Sequence, residues 1–200
     1  MSRPYHHGAL RDALIAESQA LLAEQGLEAV SLRELARRLD VSHSAPERHF
    51  RNRQELLDAL TTRGFEMLTE SIQRALAEDG VDIEGRFRAA AKAYVSFAIA
   101  NAPLLELMFT SKASSGNPET AGAAARLFTL TAEMVGESSA QASSGALGPL
   151  RYVVVATLQG IANLVATERI RPEQIDEIIE QAVSVFAPTV SLSTQRNDDL

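Results

Sequence analysis

SLRELARRLDVSHSAPERHF, residues 31–50, decides how this 200-residue chain is read. Ser31 and Glu34 stand three apart at the head of Leu32, Leu35, Ala36 and Leu39, the spacing of a capping box opening a short amphipathic helix. Asp40 tolerates the left-handed conformation that ends such a helix. Val41 follows, and Ser42 is placed to cap a third short helix from His43 to His49, with Pro46 near its first turn. Asn52 is placed to cap the next helix, which carries Leu56, Leu57, Leu60, Phe65 and Leu68. A helix, a tight turn and a second short helix form the helix-turn-helix layout.

The flanks extend the same pattern. Leu14, Ile15, Ser18, Leu21 and Leu22 repeat as one face of a helix that Gly26 ends. Helices are expected from Arg86 to Ala100, Leu104 to Phe109 and Thr120 to Val135, with a Ser/Gly loop at Ser111 to Asn117 and a flexible stretch at Gly136 to Gly148. Pro149 to Thr167 reads as a nearly all-apolar helix. Pro172 opens a last one, with Ile175, Ile178, Ile179, Ala182, Val183 and Phe186 as its stripe and Pro188 as its end. The expected architecture is all-α, with about nine helices. The chain is expected to divide into a three-helix DNA-binding domain over residues 1–53, a ligand-binding and dimerisation domain over 54–188, and a disordered tail over 189–200.

Composition narrows the function. Apolar residues are 46% and charged residues 22%, which suits a globular protein. The chain has no cysteine, which excludes disulfides, thiolate metal sites and cysteine nucleophiles and suits a cytoplasmic location. The start lacks the apolar core of a signal peptide. The most apolar run, Tyr152 to Ala166, spans 15 residues, short of the roughly 20 that a membrane helix needs, and reads as a buried helix. No GxSxG, HExxH, phosphate-binding loop or dinucleotide fingerprint occurs, and no histidine follows His49, so the apolar body lacks the usual general base. An enzyme is not expected, and neither a cofactor nor a metal. The adjacent His6 and His7 make a poor chelate, and with Arg3 they are read as an arm.

Charge is unevenly spread. The net charge is −7, yet residues 33–53 hold six arginines against Glu34, Asp40 and Glu47. A basic patch on an acidic body suits a protein with one end on a polyanion. The second helix of a helix-turn-helix fits the DNA major groove, where His43 and Ser44 can hydrogen-bond bases and Ala45 can touch a thymine methyl. Arg33, Arg48, His49 and Arg53 are positioned to reach phosphates. The amides at the helix starts after Ser31 and Asn52 can bind phosphate oxygens.

Three stretches carry a family likeness: Tyr5-His-His-Gly8, Gly26-Leu-Glu-Ala-Val-Ser-Leu-Arg-Glu-Leu-Ala36 and Val41 to Phe50. In order over about residues 5–60, they resemble the N-terminal domain of the tetracycline-repressor (TetR) family. Tyr94 to Phe109 and Leu158 to Val165 suggest its common C-terminal type. The resemblance implies a homodimeric repressor of operator DNA released by a small effector. It places Leu32 and Arg33 where the second helix meets DNA, His43, Ser44, Ala45, Glu47, Arg48 and His49 on the recognition helix, and Arg53 where the family's phosphate-binding lysine stands. The DNA set is completed by Ser31 and Ser42.

Two departures stand out. Glu47 replaces the usual phosphate-contacting tyrosine. Three readings of it are open: a second capping box from Ser44, a hydrogen bond from cytosine N4, or weakened DNA binding. Gln159-Gly160 replaces a frequent His-Gly in the pocket-lining helix. Candidate effector contacts are Phe87, Tyr94, Phe97, Met108, Phe109, Phe128, Tyr152 and Gln159. The candidate dimer face is Leu150, Val154, Ile161, Ile175, Ile178, Ile179 and Val183, more apolar surface than one small core needs. The rival function is a small-molecule or protein-binding module of the same fold with little affinity for DNA.

Overall fold

The computed structural model describes residues 7–78, 82–110, 116–134 and 148–198. Among these the chain is helical and without strands, with nine α-helices and two 3-10 turns. It divides into two compact units, Met1–Gly64 with Asn101–Ala121, and Phe65–Ala100 with Gly122–Leu200. This grouping differs from a linear cut after residue 53, because the segment from Asn101 packs with the N-terminal helices.

The first unit holds α1 (His7–Gln25), α2 (Leu32–Arg38), α3 (Ser44–Glu47), the start of α4 (Arg53–Glu78), α6 (Ala102–Thr110) and the first residues of α7 (Pro118–Met134). Gly26 has φ +79° and donates its N–H to Leu22, closing α1 as the sequence predicts. Asp40, at φ 51°, ends the α2 segment in the left-handed region, also as expected. Leu14, Leu21, Val30, Leu35, Ala36, Phe50, Leu56 and Leu60 form the core. Farther along α4, Thr62 and Thr120 share a hydroxyl hydrogen bond of 2.8 Å.

Gly64 sits inside α4, where glycine costs about 1 kcal/mol relative to alanine. The reason is steric. A Cβ there would stand 2.7 Å from Met108 Sδ, 2.9 Å from its Cγ and 3.2 Å from Leu104 Cδ1, on the buried face of α6.

The second unit contains the rest of α4, α5 (Ile83–Ala100), most of α7, α8 (Pro149–Ala166) and α9 (Ile175–Asp198). The helix α5 packs on both α8 and α9. Phe87 meets Phe186 edge to face at 6.3 Å, and Phe65 meets Phe128 likewise at 6.3 Å. Arg88 and Lys92 of α5 reach Glu180 at 2.7 Å and Asp176 at 3.1 Å on α9. Arg151, inside the apolar α8, is 1% exposed and donates Nη1 to the Phe128 carbonyl at 2.5 Å.

Three expectations need correction. Pro188 does not end the last helix, and α9 continues to Asp198, through most of the expected disordered tail. The proline removes one hydrogen bond to the Ser184 carbonyl. Both residues are exposed, so water can serve that carbonyl. The expected recognition helix from His43 to His49 contracts to the four residues of α3. The apolar run in α8 is not buried either. Only 28% of its 18-residue window is covered, by packing of Arg151, Val154, Leu158, Ile161 and Ala162, and no described element covers the opposite face. By length and composition α8 is the one described helix able to cross a membrane. The flexible stretch expected at 136–148 and the His6 arm lie outside the described residues, apart from Gly148.

Gly64→Ala is expected to lower stability by about 1 kcal/mol. Overpacking against Met108 costs about 1–3 kcal/mol, more than the roughly 1 kcal/mol of helix propensity recovered. Urea unfolding of Gly64→Ala, Met108→Ala and the double variant should reveal favourable coupling between the two changes.

Candidate nucleic-acid interface

Ser31 caps α2 as predicted, its Oγ accepting the Glu34 N–H at 3.3 Å. The return half of the box is not made. Instead the Glu34 carboxylate takes Arg37 Nη2 at 2.6 Å and Nε at 2.9 Å, and Arg38 Nε at 3.4 Å. Arg38 also donates to Glu17 at 3.0 Å and Glu24 at 2.7 Å, fastening α2 to α1. These hydrogen bonds, the one to Glu24 foremost, raise the Arg38 pKa above its ordinary value. Two of the six arginines that make the segment look basic are thus neutralised internally.

The turn into α3 is held by backbone bonds, from Val41 N–H to the Ala36 carbonyl at 3.0 Å and from Ala45 N–H to the Ser42 carbonyl at 2.9 Å. Ser42 does not cap α3 with its side chain. The N-cap position falls on His43, which makes no side-chain cap, and the Ser42 Oγ lies 3.4 Å from that of Ser44. Pro46 and Phe50 anchor the segment in the core, and the Arg11 guanidinium lies over the Phe50 ring at 5.4 Å. His43, Ser44, Glu47 and Arg48 remain exposed, as does Arg33 on α2, while Ala45, His49 and Leu32 are half-buried. Among the described residues the side chains of Arg33, Arg48 and Glu47 form no hydrogen bond or ion pair. The capping role for Glu47 is therefore not realised.

The start of α4 follows expectation, with the Asn52 Oδ1 accepting the Glu55 N–H at 2.9 Å. Glu55 in turn accepts the Arg51 N–H at 2.7 Å. Arg53 holds a position that the sequence did not reveal. Its Nε donates to the Val30 carbonyl at 2.7 Å and its Nη2 to the Leu27 carbonyl at 2.6 Å, tying α4 to the 3-10 turn Leu27–Ala29. The carbonyls of a loop carry no side-chain signal, so only the folded backbone could disclose this clamp.

The apolar candidates scatter. Phe87, Tyr94 and Phe97 are buried on α5, whereas Met108 packs under Gly64 in the first unit. Phe109 and Tyr152 are 41% and 57% exposed, Gln159 is exposed and Phe128 half-buried. A cleft of about 630 Å³ in the second unit is lined by Glu66, Thr69, Glu70, Gln73, Arg126 and Thr129, with Ala125 and Leu130, and includes none of the expected contacts. The Tyr94 hydroxyl is buried and finds no hydrogen-bond partner among the described residues, and burial pushes its pKa up to about 12. Of the expected dimer residues, Val154, Ile161, Ile179 and Val183 belong to the protomer's own core, and Leu150, Ile175 and Ile178 are half-buried. Among the described residues no group of three His, Asp or Glu side chains could hold one metal ion.

A short helix rooted by Pro46 and Phe50, braced by α1 and α2 and presenting unpaired cations outward, defines a helix-turn-helix DNA-binding protein. The family model for bacterial regulatory proteins of the tetR family matches residues 14–60, and that for the tetracyclin repressor-like C-terminal domain matches 87–186. The chain belongs to the TetR family and is a DNA-binding transcriptional regulator. A structure of a protein with unknown function from Rhodococcus sp. RHA1 is 39% identical, covering 92% of this chain and 97% of that one with a TM-score of 0.77. A TetR family transcription regulator from Marinobacter aquaeolei VT8 shares the fold at 16% identity and TM-score 0.66, over 88% of this chain and 95% of that one. The fatty acid degradation regulator FadR from Bacillus halodurans does so at 14% and 0.65, over 93% and 96%. No curated protein sequence matches the chain.

Two outcomes test this scaffold. Arg53→Ala is expected to destabilise by about 1–2 kcal/mol, as for a lost charge-assisted hydrogen bond, and Arg53→Lys should not restore the loss because an ammonium lacks the two-pronged fork. Thermal melting reads both. The Glu34 carboxyl is held below its ordinary 4.5, chiefly by the hydrogen bond from Arg37. The folded state therefore binds that proton less readily than the unfolded chain. Its stabilisation is present above pH 4.5 and lost as pH falls through the lower folded value. Acid titration of Glu34→Gln should show a shallower loss of stability than the parent.

Proposed function

We propose that the protein is a cytoplasmic homodimeric repressor that binds a palindromic operator and is released by a small effector. The observation that carries the operator reading is the exposed set His43, Ser44 and Arg48 on and beside α3, with Arg33 on α2, none tied up by a neighbouring acid. Arg33 and Arg48 supply charge to phosphates, while His43 and Ser44, with the half-buried Ala45, meet base edges. Arg53 contributes charge at the border while holding its loop. Ser31, Leu32, Ser42 and His49 complete the contact surface.

Dimerisation is assigned to the open face of α8 together with α9. Tyr152, Val153, Leu164 and Val185 are 57%, 53%, 36% and 67% exposed, a run of large apolar side chains that water disfavours. A second copy covers it economically, because a two-fold interface opposes the same stripe to itself. The buried Ile179 and Val183 support this face from beneath. The effector is assigned to the apolar side of α5, where Phe87, Phe97 and the unpartnered Tyr94 hydroxyl offer an apolar wall and one polar handle. A protein-binding module with little affinity for DNA is the second reading, favoured by the unpaired Glu47 carboxylate alone.

Selection of bound sequences from random duplex DNA tests the operator reading. Enrichment of an inverted repeat whose half-sites lie about 34–36 Å apart supports it, and recovery of unenriched DNA overturns it. Arg48→Ala should weaken binding and reduce the slope of log affinity against log salt by about 0.9. Val153→Glu should give folded monomers in sedimentation experiments, whereas Ile179→Glu should unfold the protomer itself. A monomeric parent protein at micromolar concentration overturns the dimer.

A further inference from the structure

We propose that Glu47 is a base-reading residue whose carboxylate accepts a hydrogen bond from a cytosine N4 amino group in each operator half-site. The inference rests on the operator reading above and adds the identity of one base pair to it.

Glu47 is the last residue of α3, exposed, with neither a capping bond to Ser44 nor an ion pair to Arg48 among the described residues. Its charge is therefore unneutralised on the face that carries His43, Ser44 and Arg48. Against a duplex such a group has few favourable neighbours. Phosphates repel it. In the major groove only the exocyclic amino groups of adenine and cytosine donate to it. Adenine N6 is flanked by two acceptors, its own N7 and the O4 of the paired thymine. Cytosine N4 is flanked by one acceptor, guanine O6, and on its other side by a carbon-bound hydrogen. A carboxylate meets less repulsion at cytosine. A pair of this kind discriminates by about fivefold to a hundredfold, and the same charge weakens binding wherever no amino group faces it.

Random duplex selection run in parallel with the parent protein, Glu47→Gln and Glu47→Ala tests the inference, with circular dichroism melts confirming that each exposed-site variant is folded. The parent should enrich C·G at one symmetry-related position per half-site. Glu47→Gln should convert that position to A·T, since an amide pairs with adenine N6 and N7, and Glu47→Ala should erase the preference there. On the parent's operator Glu47→Gln should bind at least about fivefold more weakly, while binding random duplex as tightly as the parent or more so. An unchanged consensus in all three proteins, with both variants tighter on every duplex, overturns the inference and leaves the operator reading standing. A parent that enriches no sequence overturns the operator reading itself.

Discussion

A helix of four residues has no stability of its own, because it closes too few hydrogen bonds to offset the backbone order it requires. Everything near α3 answers that constraint. Pro46 and Phe50 bury the segment's inner side, Arg11 lies across the Phe50 ring, and backbone bonds from Val41 and Ala45 hold the turn before it. What remains outward is short and rigidly placed, as a reader of groove edges must be.

The arginines divide by task according to their neighbours. Arg37 and Arg38 are paired with Glu34, Glu17 and Glu24, whereas Arg53 is anchored on two neutral loop carbonyls and keeps its charge. Exposed ion pairs add little stability singly, so the chief effect of those at Arg38 is to orient α2 on α1. Among the described residues Arg33 and Arg48 have no such partners, and their charge stays exposed. A count of charges along residues 33–53 therefore overstates the basic surface available to phosphate.

The second unit shows the same division in apolar side chains. One side of α8 packs inside the protomer, while Tyr152 and Val153 stand in the open. The buried Arg151 sits in the middle of this economy, its guanidinium bonded to the Phe128 carbonyl and 5.8 Å from that residue's ring. An arginine in so apolar a helix is retained by packing its stem and by a backbone acceptor supplied from α7.

Much was legible in the sequence, because helix periodicity, the Ser31 and Asn52 caps, Gly26 and Asp40 are local signals that act within a few residues. These settled the all-α class and the helix-turn-helix. The reach of the last helix was misjudged, since whether Pro188 stops or merely indents a helix depends on whether the freed carbonyl meets water. Which apolar stripe lies inside and which outside was equally closed to the sequence. Ile175 to Phe186 and Tyr152 to Val165 look alike as patterns, and only their packing against α5 separates core from surface. The partners of Arg38 and Arg53 depend on residues 14 to 26 positions away. Local patterning thus determined which helices form, and the tertiary structure decided which charges are paired within the fold and which stay exposed.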